Sequence, residues 1–136
     1  MSRNVLDRQN NIIAQVYNLN AADKTIFPSP EDKTFQFGVG VIETDKVYKT
    51  HIHKRAERVI QTTSEFLYVI SGLMIVNILD EEGHSLETIH LKDSMGLLQF
   101  YGGHGIEVKK GTKYFELKQG PYYGRDFDKF DVEVIK

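Results

Sequence analysis

Cysteine is absent from the 136 residues of this sequence, which excludes disulfide bonds, thiolate metal ligands and a cysteine nucleophile. Long apolar stretches are absent as well. No run of residues approaches the roughly 18 that a membrane-spanning helix needs, and Met1 to Arg8 contains no signal-like apolar core. We therefore expect a soluble, cytoplasmic protein with no membrane partner.

An excess of charge of either sign is also lacking. The net charge is −2 and the isoelectric point is about 6.2. Nucleic-acid-binding domains usually show clustered lysine and arginine with a high isoelectric point. The composition therefore predicts no nucleic-acid partner. The length suits one domain, which buries roughly two-thirds of the surface that its unfolded chain exposes.

Short β-strands dominate the apolar pattern. Apolar residues alternate with polar ones, or form brief β-branched and aromatic runs, and glycine-rich turns separate these stretches about every ten residues, which indicates an all-β sandwich or barrel. We expect an N-terminal segment over 1–34 that adds an edge or dimer strand, a barrel over 35–120 and a tail over 121–136. The predicted strands are 12–17, 35–42, 46–53, 65–71, 73–79, 86–91, 96–101, 106–108, 113–118 and 132–135.

Three histidines and one glutamate form the candidate site. His51 and His53 are two residues apart, so on a strand both side chains point to the same face. His104 stands between glycines about fifty residues later, and Glu65 opens an apolar run between them. Three imidazoles and one carboxylate are the usual inventory of a mixed nitrogen and oxygen metal site. The alternative is that some of these side chains are ordinary polar residues on strands.

Other residues near these positions suggest substrate contacts. Arg55 and Arg58 follow the histidine pair, and guanidinium groups recognise phosphate and carboxylate in a bidentate manner. Tyr122 is a candidate for stacking on a sugar or a base. Glu57 and Tyr101 are the candidate catalytic residues, with Glu57 as a proton shuttle. A solvated loop is the alternative for the charged residues, and a place in the core or an interface is the alternative for the tyrosines.

These residues resemble the cupin superfamily over about 35–120. The stretch Glu65-Phe-Leu-Tyr-Val-Ile-Ser-Gly72 matches the Glu-x6-Gly part of the first cupin motif, and His51 with His53 matches its His-x-His. Eleven residues separate His53 from Glu65, which is longer than the motif prescribes. Glu57 has the shorter spacing but no glycine seven positions later. We take Glu65 as the carboxylate ligand, because the strand after it would fix its direction.

In the second cupin motif, only His104 is matched. Gln99 stands at the position of the motif's proline, Tyr101 at its glycine and Val108 at its asparagine. The resemblance implies a cupin-type double-stranded β-helix, also called a jelly-roll barrel, and a homodimer. It also implies that the three histidines and Glu65 hold a divalent transition metal, with Fe²⁺, Mn²⁺, Ni²⁺, Co²⁺ and Zn²⁺ all open.

The function that the resemblance implies is that of a metal-dependent enzyme. The stretch Glu116–Tyr122 is similar to small cupins of bacterial surface-carbohydrate biosynthesis. The expected substrate is therefore a sugar or sugar-nucleotide intermediate, with isomerase, epimerase or dioxygenase chemistry. In a metal-free version, His51 or His104 acts as the base of an epimerase or ketoisomerase. The alternative function is a non-catalytic cupin module that binds a small ligand such as a sugar.

Overall fold

The computed structural model describes residues 1–136, which form two antiparallel β-sheets. Strands account for 39% of the chain and helices for 5%, which confirms the all-β class. Two short helices complete the structure, a 3-10 turn over Leu19–Ala21 and α1 over Arg125–Asp128. The strands are β1 Ser2–Leu6, β2 Ile12–Asn18, β3 Glu65–Ser71, β4 Met74–Leu79, β5 Ser85–Leu91, β6 Met95–Gln99, β7 Gly103–Val108 and β8 Lys113–Lys118.

The two sheets face each other without closing into a barrel. One sheet has the order β1-β2-β6-β3-β8 and the other the order β5-β4-β7. Strands β7 and β8 follow each other in the chain but lie in different sheets, each at the edge of its own. The sandwich is therefore open along the side that these two edge strands border.

The main core lies between the sheets. It joins β3 residues such as Leu67 and Val69 to the fully buried Met74, Val76 and Ile78 of β4. These side chains alternate along their strands with residues that point the other way, as the period of two requires. Burial of apolar surface at roughly 25 cal/mol per Å² makes this layer the main source of stability.

A second apolar cluster covers the outer face of the larger sheet. Tyr17 stacks on Phe37 with ring centroids 4.0 Å apart, and Phe37 lies 5.0 Å from Phe66. Phe37 belongs to a stretch that was expected to be a strand over 35–42. This stretch makes only one bridge, between Val39 and Ile26, and lies as a loop across the sheet. The alternation of apolar and polar residues in this stretch reflects the burial of one face against the sheet and not hydrogen bonding to a neighbouring strand.

Two more strand predictions are wrong and one strand was missed. Residues 46–53 form no strand and lie within an exposed stretch, because no neighbouring backbone pairs with them. Residues 132–135 contribute a single parallel bridge, between Ile135 and His84. Strand β1 was not expected, because its sequence is mostly polar and most of its residues are exposed. No helix in the structure has the length and apolar character to cross a membrane.

Candidate functional site

Glu65 and His104 come together across the gap between the sheets. Glu65 begins β3 and shares the inward face with Leu67, while His104 lies in β7 directly opposite the buried Ile78. The start of β3 and the edge strand β7 therefore present both polar side chains to the same space. The distance from His104 Nε2 to Glu65 Oε2 is 3.5 Å, and the two side chains are 25% and 15% exposed. This contact joins two of the four predicted metal ligands.

Gln99 determines which nitrogen of His104 carries the proton. Its amide nitrogen donates to the carbonyl oxygens of Tyr101 at 3.0 Å and Gly103 at 2.9 Å, so its oxygen Oε1 must face His104. That oxygen lies 2.7 Å from His104 Nδ1. An amide oxygen only accepts hydrogen bonds, so Nδ1 carries the hydrogen in the neutral ring. His104 Nε2 is thus left with a free lone pair that faces Glu65.

Burial and a second carboxylate keep Glu65 protonated near neutral pH. The pKa of Glu65 is raised to about 8, mainly by removal from water and further by a hydrogen bond with Glu116 and its negative charge, while Lys118 and Lys129 act in the opposite direction. Burial also lowers the pKa of His104, against the charge of Glu116. Both groups are therefore mainly neutral at pH 7, a carboxylic acid facing an imidazole lone pair.

His51 and His53 lie apart from any sheet. They stand in the stretch 42–63, which forms no helix or strand and in which every residue is exposed. The two imidazole rings are 5.1 Å apart and meet edge to face, and His51 Nδ1 lies 2.9 Å from the carbonyl oxygen of Lys49. No group of three or more His, Asp or Glu side chains is placed to hold one metal ion. The four predicted ligands therefore do not fit around a single ion in this arrangement, and the metal stays a prediction.

The predicted substrate residues of the same stretch are also in solvent. Glu57, Arg55 and Arg58 are exposed and belong to no strand. Tyr122 is 59% exposed and lies near the site, because its ring is 4.9 Å from the ammonium group of Lys118. Lys118 is directly opposite Glu65 in the β3–β8 pairing. Of the predicted substrate residues, Tyr122 is thus the one that the fold links to the Glu65–His104 pair.

Tyr101 was expected to be a catalytic residue, and the structure places its hydroxyl against Asp7. Its hydroxyl donates to Asp7 at 2.8 Å, and burial together with this bond raises the pKa of Tyr101. Only its backbone carbonyl takes part in the site, as an acceptor for Gln99. The structure therefore brings Tyr101 next to the site through its main chain and leaves its phenol in a bond to the loop after β1.

Sequence reasoning missed Gln99, Glu116 and Lys118 as site residues. Gln99 faces Glu65 directly in the β3–β6 pairing and is only 4% exposed. A buried polar residue at the end of an apolar strand was the available signal, since such groups need hydrogen-bond partners. Glu116 and Lys118 are alternate residues of one strand, but their relation to Glu65 depends on the β3–β8 register, which the sequence does not show.

Comparison of the chain with protein-family models, with curated proteins and with solved structures gives no match.

Proposed function

We propose that this chain is a cupin-type enzyme that moves protons on a small polar substrate, with Glu65 and His104 as its acid and base. The observation that carries the proposal is the arrangement of His104: Gln99 holds the hydrogen on Nδ1, and the free Nε2 lies 3.5 Å from Glu65. A general base needs an unprotonated nitrogen, and a general acid needs an available proton. This pair offers both at neutral pH.

Isomerisation of a hydroxy-carbonyl compound is the reaction that suits such a pair. His104 Nε2 takes the proton from the carbon next to the carbonyl, and the Glu65 carboxyl gives its proton to the carbonyl oxygen, which yields an enediol. Return of the proton from His104 to the neighbouring carbon, with removal of a hydroxyl proton by Glu65, gives the isomer. Every proton is returned, and no oxidant or reductant is required.

A sugar or sugar-nucleotide intermediate is the proposed substrate class. The site lies at the open side of the sandwich, where Tyr122 supplies an exposed ring and Lys118, opposite Glu65, an ammonium group that also lies 3.3 Å from Asp128 Oδ2. Aromatic rings stack on sugar faces, and an ammonium group pairs with phosphate or carboxylate. These groups support a polar and partly anionic substrate with a carbonyl.

Exchange of carbon-bound hydrogen with solvent deuterium tests the proposal. The protein is incubated in D₂O with a set of keto-sugars and sugar nucleotides, and proton NMR follows the loss of the signal next to the carbonyl. We expect exchange with the native protein and a loss of about 100-fold or more in His104→Ala, the usual contribution of a general base. His90→Ala is the matched control, because His90 is an exposed histidine on β5.

The non-catalytic module predicts a different result. Binding of one of these compounds, seen as shifted protein signals, with no exchange above that of the His104→Ala variant would contradict the enzyme proposal and favour a sugar-binding role. Equal exchange rates in His104→Ala and the native protein would show that His104 is not the base of the reaction.

A metal-dependent cupin is the second candidate. The specific observation in its favour is the hydrogen bond on His104 Nδ1, since histidines that bind metals through one nitrogen usually donate from the other. His104 and Glu65 would hold the divalent ion, and it would polarise a substrate oxygen. Elemental analysis of untagged protein tests this candidate. Stoichiometric Fe, Mn, Ni, Co or Zn that falls to background in His104→Ala and Glu65→Ala, but not in His90→Ala, would support it, and full occupancy in the first two variants would exclude it.

A further inference from the structure

The chain after β8 connects the two sheets next to the candidate site. We call residues 119–136 the C-terminal strap. At its beginning, the backbone N–H of Gln119 donates to the carbonyl oxygen of Ser64 at 3.0 Å, immediately before β3. Near its end, Ile135 forms two backbone hydrogen bonds, of 2.8 and 2.9 Å, with residues 83–85 at the start of β5. One end of the strap is therefore fixed to the larger sheet and the other to the smaller sheet.

The middle of the strap, residues 120–131, is held to the sandwich through one side chain. Asp128 Oδ2 lies 3.3 Å from Lys118 Nζ, and the two side chains are 16% and 24% exposed. The ring of Tyr122 lies against the same ammonium group. The other hydrogen bonds of residues 120–131 are made within the strap, and apart from Gly124 and Asp128 every residue of this stretch is exposed. Loss of the pair with Lys118 would therefore free this stretch while both ends stay attached.

This ion pair lies beside the proposed acid. Lys118 is directly opposite Glu65 in the β3–β8 pairing, so both side chains are on the same face of the sheet. Lys129 follows Asp128, and its positive charge acts on Glu65. With Glu65 protonated, the two lysines face two carboxylates, those of Glu116 and Asp128, and the charges balance. Departure of the Asp128 carboxylate would leave one uncompensated positive charge next to the site.

We propose that Asp128 occupies the place of the substrate's anionic group, a phosphate or carboxylate that pairs with Lys118 once it displaces Asp128 and frees the middle of the strap. The inference rests on the proposed function, because the anion belongs to that substrate. A carboxylate and a phosphate both offer oxygen acceptors to an ammonium group, so one can replace the other without leaving the half-buried Lys118 unpaired. The strap is then a lid that the substrate opens by competition.

Titration with inorganic phosphate tests the competition without any turnover. Binding is followed by ¹H–¹⁵N NMR at constant ionic strength, and acetate is titrated separately to distinguish a carboxylate from a phosphate. A bound internal carboxylate lowers the apparent affinity of an external anion by the fraction of molecules in which the pair is open. We expect Asp128→Asn to bind at least one of the two anions about threefold to fivefold more tightly than the native protein, the range of a partly exposed ion pair.

Asp126→Asn is the matched control, because Asp126 lies on the same helix, is exposed and makes no ion pair. It changes the net charge equally and should bind both anions as the native protein does. Lys118→Met keeps most of the side-chain length and should abolish anion binding, whereas Lys113→Met, an exposed position of the same strand, should not. Equal affinities of Asp128→Asn and Asp126→Asn, or native-like binding by Lys118→Met, would overturn the proposal.

The same spectra report on the lid. Saturation of the native protein with the anion should shift the amide signals of residues 120–131 toward their positions in free Asp128→Asn, and the signal of Ile135 should stay unchanged. A strap whose signals do not move on binding would contradict the displacement. Failure of the proposed function gives a different pattern: the anion binds at Lys118 as expected, but no keto-sugar exchanges hydrogen with D₂O. Exchange by a protein whose anion affinity is unaffected by Asp128→Asn would leave the enzyme proposal standing and remove the lid.

Discussion

Replacing Gln99 with leucine should destabilise the protein and release the hydrogen of His104 from Nδ1. Gln99 is 4% exposed and makes three hydrogen bonds, to Tyr101, Gly103 and His104. Leucine has a similar shape, so no cavity forms, but two carbonyl groups and one imidazole N–H lose their partner. A net contribution of about 0.5–1.5 kcal/mol for each bond gives a loss of about 2–4 kcal/mol in the free energy of unfolding.

Two measurements check this expectation. Urea or guanidinium unfolding with linear extrapolation gives the loss of stability, and ¹⁵N NMR of the imidazole gives the tautomer of His104. In the native protein, Nε2 should show the shift of an unprotonated nitrogen above the pKa of the ring. In Gln99→Leu, the two ring nitrogens should move toward each other in shift, because no acceptor holds the hydrogen on Nδ1.

Gln9→Leu is the matched control. Gln9 is exposed, and its side chain makes no hydrogen bond, so its replacement should change the free energy of unfolding by no more than about 0.5 kcal/mol. A Gln99→Leu variant as stable as this control, or with unchanged imidazole shifts, would refute the assignment of His104 and weaken its role as the base.

Three further perturbations test the fold and its charges. Gly102→Ala should lower the free energy of unfolding by more than about 3 kcal/mol, because φ is +85° and a Cβ would lie 2.5 Å from a backbone oxygen. Gly111→Ala has a φ of +84° but open space around the position, so it should lower that free energy by only about 1–2 kcal/mol. Urea unfolding measures both losses, and equal losses would contradict the steric clash at Gly102. Between about pH 4.5 and pH 8 the native protein should lose stability as the pH rises, because the raised pKa of Glu65 makes the folded state bind a proton that the unfolded chain has released. Glu65→Gln should remove this pH dependence. Parallel stability curves of the two proteins over that pH range would contradict it. Burial works against ionisation of Asp80, but backbone N–H groups and Arg8 hold its pKa at about 2, so this carboxylate stabilises the fold above about pH 4 and the benefit disappears as the pH falls toward 2. Arg8→Met should therefore move acid unfolding, followed by circular dichroism, to higher pH, and an unchanged midpoint would contradict the pairing.

The strands over 65–118 could be predicted because their apolar pattern matches the way they are buried. Strand β3 was predicted with the bounds that the structure gives, and β8 as well. Residues 35–42 and 46–53 show that alternation alone is insufficient. A strand also needs a neighbour that accepts its backbone hydrogen bonds, and that neighbour is a property of the whole fold.

The proximity of Glu65 and His104 could be predicted from the sequence for the same reason, while their role as metal ligands stays a prediction. Glu65 and His104 sit on strands whose pairing brings them together, so their positions along the chain were informative. His51 and His53 were predicted to lie on a strand that does not form, and on an exposed loop a spacing of two residues does not direct both side chains to the same face. Gln99 was overlooked because its role depends on contacts with Gly103 and His104, which only the folded chain creates.

The open side of the sandwich links the chemistry to the surface around it. A carboxyl group stays protonated near neutral pH only where water is largely excluded, and the apolar layer of Leu67, Ile78 and their neighbours supplies such an environment next to Glu65. In the proposed reaction a substrate must also reach Glu65, which requires the apolar layer to end there. The open side of the sandwich therefore has to be apolar next to Glu65 and accessible from solvent, and Ile106 and Tyr114 are exposed there as a consequence.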